Sequence, residues 1–239
     1  MKTLFASIAL IMSVLIISQS CAFHSVKGNG QITSNEIILN DYKEMSIHGS
    51  KVVVYEQKAD ATPYIIIETD ENIMPLLDIR SENGVLVIKN EKNISPSSFK
   101  IYTNSTALEK VSSSGSSKIH LSGDINTPSL TVSVSGSGKV NGDNIICQDF
   151  RGTVSGSGNL KVNGSATNVR ISTSGSGKVD VSEMPATTAE CRISGSGTNI
   201  VNVSESLNAS VSGSGKVNYI GSPEVNSSVS GSGKVRPIS

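Results

Sequence analysis

A Ser-Gly-Ser-Gly element recurs through the second half of the chain, and its regular spacing restricts the fold more than any other feature. The copies are about 20 residues apart, a repeat length that is typical of solenoid proteins. Their first glycines are Gly136, Gly156, Gly175, Gly195, Gly213 and Gly231, and a weaker copy covers Ser114–Ser117. In a solenoid each repeat forms one turn of a superhelix. The spacing therefore predicts an all-β chain wound as a parallel β-helix or β-solenoid, with about 20 residues per coil.

The residues around each copy alternate in character, as they do in a β-strand. Between Val132 and Val140, valine and glycine share one parity, and serine and lysine share the other. Because side chains alternate across a strand, the valines and both glycines should face the interior. A flexible Gly/Ser linker would not keep valines at fixed positions around each copy. The glycines would then provide either a tight bend or a narrow interior, and Asn199 at an inward position predicts a local bulge.

Residues 1–20 have the pattern of an export signal. Lys2 gives a positive start, and the apolar run from Leu4 to Ile17 is too short for a stable membrane span. Cys21 follows after a small residue, as in bacterial lipoproteins. We therefore expect residues 1–20 to be a lipoprotein signal peptide, Cys21 to carry a lipid anchor, and residues 21–30 to be a short tether. The alternative is an ordinary secretory signal with Cys21 incidental.

Residues 31–110 are β-rich but lack the clean repeat, whereas residues 111–239 carry the regular coils. Asn83-Gly84 lies between two apolar runs and predicts a β-hairpin, because both residues tolerate a positive φ. Ile47–Val52 resembles a degenerate copy of the repeat. We therefore expect residues 31–110 to be an irregular start of the same solenoid that caps one open end, while Pro237 ends the ladder at the other.

Two cysteines, Cys147 and Cys191, lie in the repeat region. An exported protein permits a disulfide, but these residues occupy different phases of the repeat, about two coils apart. At about 4.8 Å per coil, that separation exceeds the ~7 Å limit between bridged Cα atoms. We expect buried free thiols.

The exported amino terminus, the β-rich lead segment with its hairpin and the tandem copies together resemble the head GIN domain family of auto-transporter adhesins. The resemblance covers residues 31–235. Its most specific part is the tandem copies at Ser135–Val140, Ser174–Val179, Ser212–Val217 and Ser230–Val235. The resemblance implies a right-handed, β-helix-like fold, a bacterial envelope lipoprotein and an adhesive role. It carries over no catalytic residues.

Five lysines share one position of the repeat, directly after the second glycine. They are Lys118, Lys139, Lys178, Lys216 and Lys234, with Asn159 and Thr198 in the intervening copies. In a stacked solenoid they would form a basic stripe with about 4.8 Å between coils. One interpretation is a binding strip for an acidic glycan or another envelope polymer. The other is a solvated edge whose charge deters edge-to-edge aggregation.

Composition and motifs argue against several function classes. The 20 basic and 20 acidic residues cancel, so no bulk field favours nucleic acid. The histidines lack metal spacing, the acids share no repeat phase, and there is no Gly-x-Ser-x-Gly elbow. We therefore expect no enzyme, no metal site and no cofactor. The prediction is an outer-membrane lipoprotein displayed on the cell envelope that binds a glycan, matrix or protein partner; the alternatives are a polysaccharide-active β-helix enzyme and a passive envelope scaffold.

Overall fold

The computed structural model describes residues 25–238, which form a β-solenoid of about 6 turns with ~20 residues per coil. This confirms the predicted fold class. The predicted signal peptide at residues 1–20 and the lipid attachment at Cys21 lie outside the described residues. The described range contains one short 3-10 helix and no α-helix. It has no helix that is long and apolar enough to cross a membrane.

The strands divide into an irregular amino-terminal set and a regular set of coils. The irregular set is β1 (Val26–Lys27), β2 (Ile32–Ile38), β3 (Glu44–Gly49), β4 (Val52–Gln57), β5 (Tyr64–Asp70), β6 (Leu77–Glu82), β7 (Val85–Asn90), β8 (Ile94–Ser95) and β9 (Phe99–Ser105), with a 3-10 helix at Met74–Leu76. The regular set is β10 (Lys110–Gly115), β11 (Lys118–Gly136), β12 (Lys139–Gly156), β13 (Asn159–Gly175), β14 (Lys178–Gly195), β15 (Thr198–Gly213), β16 (Lys216–Ile220), β17 (Glu224–Ser230) and β18 (Lys234–Pro237).

Successive coils stack as parallel strands in register. β11 to β15 each run from one Ser-Gly-Ser-Gly corner to the next, so that Gly136, Gly156 and Gly175 lie above one another. In β12 and β14 the alternation of buried and exposed residues changes phase twice between corners, which divides each of these two coils into three stretches. In β12 the buried positions of these stretches are Val140 and Gly142, then Ile145, then Phe150, Gly152 and Val154. The stacked aliphatic columns form one thin, continuous core.

The first glycine of each copy forms the bend of the corner and does not face the interior, contrary to the prediction from parity. At Gly156 the φ is +108°, a conformation that L side chains rarely adopt. A Cβ atom here would lie 2.7 Å from the carbonyl oxygen of Gly136 in the preceding coil. The alternation rule holds only along extended backbone, and the positive φ interrupts it.

The second glycine of each copy does face the interior. Gly158 is buried, and a Cβ atom there would lie 2.6 Å from Cγ1 of Val134 in the preceding coil. The space that a side chain would need is therefore already filled. Both interpretations of the glycines apply: the first glycine makes the bend, and the second allows the narrow interior.

Asn199 is buried without a bulge, so that prediction is wrong. Lys178–Val181 pair with Thr198–Val201 in unbroken register. The carboxamide finds its partners inside the fold, because Thr173 Oγ1 donates to Asn199 Oδ1 at 2.6 Å and Asn199 Nδ2 donates to the Arg192 carbonyl oxygen at 3.3 Å. Thr173 occupies a position that is valine or isoleucine in neighbouring coils. A buried polar pair thus replaces an apolar one, and the backbone has no need to turn the amide outward.

The amino-terminal part begins the same solenoid and then closes it with antiparallel strands. β3 and β4 form a coil whose corner, Gly49, pairs with Gly115, as the degenerate copy predicted. β7 and β9 run parallel to β3 and β4, and β6, β5 and β2 continue antiparallel beyond them. The predicted hairpin is confirmed: Asn83 and Gly84 join β6 to β7, and both have a positive φ.

Residues 25–30, the described part of the expected tether, lie against this end of the fold. β1 pairs with β8. The Gly30 N–H donates to Oδ1 of the buried Asp70 at 2.7 Å. The backbone N–H of Ser97 donates to the other carboxylate oxygen of Asp70 at 2.7 Å. One buried carboxylate therefore fixes this segment to the loop after β8.

Lys51 occupies the position that the second glycine takes in later coils. The Lys118 N–H donates to the Lys51 carbonyl oxygen, just as the Asn159 N–H donates to the Gly138 carbonyl oxygen. In later coils a side chain here would collide with the preceding corner. The β3–β4 coil has no corner before it, so a long side chain fits.

The Lys51 side chain fills the end of the solenoid interior. The residue is only 3% exposed. Its Nζ donates to the His48 carbonyl oxygen and, at 2.8 Å, to Asn90 Oδ1, and it lies 5.2 Å from the centre of the Phe99 ring. Burial lowers the pKa of Lys51 to about 8. The ammonium therefore closes the apolar interior at a cost in desolvation.

Cys147 and Cys191 are free thiols, as predicted. They lie on β12 and β14, two coils apart. Cys191 is fully buried, whereas Cys147 is half-buried. Burial raises the pKa of Cys147 to about 11 and that of Cys191 to about 12, so both are protonated at neutral pH.

The two glycines of one corner should respond differently to alanine. Gly156→Ala should destabilise by about 2–4 kcal/mol, because it combines an unfavourable φ with a backbone collision. Gly158→Ala should cost about 1–3 kcal/mol through overpacking against Val134. Combining Val134→Ala with Gly158→Ala should recover at least about 1 kcal/mol of the stability that Gly158→Ala loses. Combining it with Gly156→Ala should recover none of the stability that Gly156→Ala loses. Urea unfolding of the five variants measures this cycle, and equal coupling at both glycines would contradict the assignment.

Lys51→Met should make the protein more stable, and the gain should shrink as the pH rises. The folded pKa of Lys51 lies below its unfolded value, so its contribution to wild-type stability increases as the pH rises from about 8 towards about 10.5. Between pH 7.5 and 9.5 the advantage of the variant should fall by about 1–2 kcal/mol. The buried thiols act in the opposite direction in both proteins, so the difference between the two urea-unfolding free energies is the quantity to follow. A difference that is independent of pH would contradict a buried ammonium.

Candidate functional site

The predicted lysines form one continuous ladder. β-sheet pairing joins Lys118 to Lys139, Lys139 to Asn159, and so on through Lys178, Thr198 and Lys216 to Lys234. All five lysines are exposed. We call this set, with its two neutral members, the lysine column.

The glycine corner fixes where each lysine leaves the solenoid. The backbone N–H of Lys178 donates to the Gly158 carbonyl oxygen at 3.0 Å, and that of Lys216 donates to the Gly197 carbonyl oxygen at 2.9 Å. Every lysine of the column therefore starts from the same point of its coil, directly after the second glycine of its copy or, for Lys118, after Ser117. The ladder spacing of about 4.8 Å sets the distance between their Cα atoms.

The structure adds a lysine that the repeat did not reveal. Lys100 of β9 pairs with Val52, and Val52 pairs with Lys118, so Lys100 extends the column beyond the regular coils. No Ser-Gly-Ser-Gly copy precedes Lys100, and repeat phase therefore could not identify it. Lys161 lies two residues after the neutral Asn159 and supplies a cation to that coil, but its Nζ pairs with Glu183 at 2.9 Å.

One member of the column has a carboxylate of its own. Lys178 Nζ lies 2.9 Å from Asp180 Oδ2, and the Ser182 hydroxyl donates to Asp180 Oδ1 at 2.6 Å. Partial burial raises the pKa of Asp180, but the hydrogen bonds from Ser182 and Lys178 outweigh it and hold the pKa below its ordinary value. Among residues 25–238, Lys118, Lys139, Lys216 and Lys234 form no ion pair.

A second cationic cluster lies on the stretch that precedes the corner. Arg151 and Arg170 are ladder partners, and Arg192 follows one coil later, two residues along the strand. With Glu190 they line a surface opening of about 250 Å³. We call this opening the arginine cleft. Sequence reasoning missed it because its arginines occupy two different repeat positions.

Ion pairs occupy part of the arginine cleft. Glu190 Oε1 lies 2.5 Å from Arg192 Nη2, and Glu190 Oε2 lies 3.7 Å from Arg170 Nε. Arg170 also lies 3.7 Å from Asp149. Arg151 has no carboxylate within ion-pair distance in the described part of the chain. The cleft therefore keeps one unengaged guanidinium beside two that are partly neutralised.

Glycoside hydrolysis uses two carboxylates facing one bond. Five surface openings of the described range are each lined by at most one carboxylate, namely Glu190 or Glu82. The same range contains no cluster of His, Cys, Asp and Glu that could hold a metal ion. What the surface offers is rows of cations and hydroxyls.

Comparison with known families identifies the group to which the chain belongs. The family model described as "Putative auto-transporter adhesin, head GIN domain" matches residues 41–223. The chain belongs to this family. Membership supports an adhesin-like role at the cell surface or envelope. No curated protein matches the chain.

Several solved structures share the fold. A "putative adhesin" from Bacteroides fragilis NCTC 9343 gives a TM-score of 0.85 at 22% identity and covers 90% of this chain and 100% of its own. A "putative lipid binding protein" from Parabacteroides distasonis ATCC 8503 gives 0.76 at 27% identity, with coverage of 90% and 100%. A "putative adhesin" from Parabacteroides merdae ATCC 43184 gives 0.72 at 23% identity, with coverage of 90% and 99%. These crystallised chains match over 99–100% of their own length, so this chain shares their whole fold.

Proposed function

We propose that this protein is an adhesin-like lipoprotein of the cell envelope that binds an acidic glycan along the lysine column and catalyses no reaction. The observation that supports this function is the in-register ladder of exposed lysines, four of which have no carboxylate partner in the described range. Lipid attached at Cys21 would hold the protein at the outer membrane. The coils would then present the column as a rigid strip.

The order of charges along the column suits a polymer better than a small ligand. Lys139 and Lys178 are two coils apart, as are Lys178 and Lys216, which corresponds to about 10 Å. The neutral Asn159 and Thr198 lie between them and offer amide and hydroxyl groups. An acidic polysaccharide carries charged and neutral polar groups in a similar succession. Each exposed contact contributes at most about 1 kcal/mol, so useful affinity requires several contacts on one chain.

The arginine cleft is the second contact point of this proposal. It lies on the stretch before the corner, whereas the column begins immediately after the corner. Arg151 is the group most available to an incoming carboxylate or sulfate. A guanidinium binds such groups in a bidentate manner, which gives orientation as well as charge.

Binding to an acidic polysaccharide tests the lysine column. The chain from Phe23 onward, which contains all of residues 25–238, would be titrated with polygalacturonate at low salt. Lys139→Gln, Lys178→Gln and Lys216→Gln together should weaken binding about 10-fold, because three charge contacts are lost. The dependence of binding on salt concentration should decrease as well.

A charge-matched control separates the column from net charge. Lys27→Gln, Lys43→Gln and Lys92→Gln remove the same charge from exposed positions outside the column and should leave affinity within about two-fold. Equal loss in both triple variants, or no loss in either, would exclude the column as the binding strip. Release of reducing ends from the polymer during the titration would contradict the non-catalytic role and favour the polysaccharide-active enzyme.

A further inference from the structure

The last long strand of the solenoid has one open edge. β17 pairs with β15 in unbroken register from Glu224 opposite Ser206 to Ser230 opposite Ser212. On its other side no strand of the described range pairs with it. All residues of β17 are exposed. Its free N–H and C=O groups form a template for a further strand.

The apolar interior is also open at this end. Val225 and Val229 continue the inward columns of Leu207 and Val211. Leu207 is 0% and Val211 1% exposed, whereas Val225 is 37% and Val229 42% exposed. At the opposite end of the solenoid the Lys51 side chain and antiparallel strands cover the interior. Among residues 25–238, the carboxyl-terminal coil therefore lacks the cover that every earlier coil has.

In the sequence of β17, Glu-Val-Asn-Ser-Ser-Val-Ser, the two valines lie symmetrically about Ser227. In an antiparallel pair, residues that lie opposite each other point to the same face. Pairing β17 with a copy of itself about Ser227 places Val225 opposite Val229 of the partner subunit. Shifting the pairing by one residue would place inward positions opposite outward ones. Shifting it by two would place the valines opposite serine or the next corner.

We propose that β17 is a dimerisation strand and that its partner is β17 of a second copy of this chain, paired antiparallel about Ser227. The pairing is two-fold symmetric and therefore closed. It joins the two apolar interiors through both valine pairs. The only charged residue of the strand, Glu224, meets Ser230 of the partner subunit, so no like charges oppose each other. This inference is independent of glycan binding by the lysine column.

The size of the contact predicts a reversible dimer. A pair of seven-residue strands buries less than the roughly 1,200 Å² that is the lower limit for stable interfaces. We therefore expect a dissociation constant on the order of micromolar in solution. Copies anchored in one membrane would meet at a higher effective concentration.

A cysteine on the proposed axis tests the register directly. In the chain from Phe23 with Cys147→Ala, Ser227→Cys would face its own copy across the two-fold axis. Cα atoms of directly opposed antiparallel residues are about 4.5–5.5 Å apart, within the range of a disulfide. Mild oxidation should convert most of this variant into a covalent dimer. Asn226→Cys is the matched control: it lies next to Ser227 and is also exposed, but it would face residue 228 of the partner subunit and should form no covalent dimer.

A charge at the same position tests the association without oxidation. Ser227→Lys would place two ammonium groups opposite each other, so it should be monomeric at about 100 μM, where the wild type should be mostly dimeric in sedimentation velocity. Circular dichroism would verify that the coils are intact. A wild type that is monomeric at this concentration would overturn the proposal, as would cross-linking of Asn226→Cys to the same extent as Ser227→Cys.

Discussion

One contact between successive corners governs this fold. From Gly115 to Gly195, the carbonyl oxygen of each first glycine accepts a hydrogen bond from the serine N–H of the next coil, for example from Ser157 to Gly136 at 3.0 Å. The same oxygen lies where a Cβ atom of Gly156 would have to stand, at 2.7 Å. A coil can therefore stack closely enough to form this bond only if the residue above has no side chain. Glycine is required here by the neighbouring coil as much as by its own φ.

This close stacking determines both the inside and the outside of the solenoid. Inside, the second glycine lets the preceding coil's Val134 fill the space beneath Gly158, so a continuous core forms mainly from aliphatic side chains. Outside, the corner returns the backbone to the same point in each coil. The lysine column is a consequence of that return, because a residue at a fixed distance from the corner must lie above its counterpart. Function at such a surface can be changed coil by coil without disturbing the stack.

The repeat was sufficient to predict the solenoid, the register of the lysines and the distant, unpaired thiols, because these follow from period alone. The predicted inward position of the first glycine was wrong, because the alternation of residue types along a strand carries no information about φ. The prediction of a bulge at Asn199 was wrong, because the amide is satisfied by Thr173. Thr173 lies one coil earlier, and the spacing of the repeat there gives no sign of this contact. The arginine cleft and Lys100 were missed for a related reason: Arg192 is out of phase with Arg151 and Arg170, and Lys100 follows no copy of the repeat.

The two ends of the solenoid meet the same physical difficulty differently. Each coil exchanges backbone hydrogen bonds and apolar contacts with the coils on both sides, so within residues 25–238 the first and the last coil each lack one neighbouring coil. The first coil replaces its missing cover with Lys51, whose ammonium donates to Asn90. At the last corner the pattern itself changes, because the N–H of Gly233, rather than that of the serine before it, donates to the Gly213 carbonyl oxygen. No further coil of the described residues stacks on this corner, and the valines of β17 are exposed. The stacking that makes the interior regular thus leaves the last coil as the place where a further strand gains most by adding to the sheet.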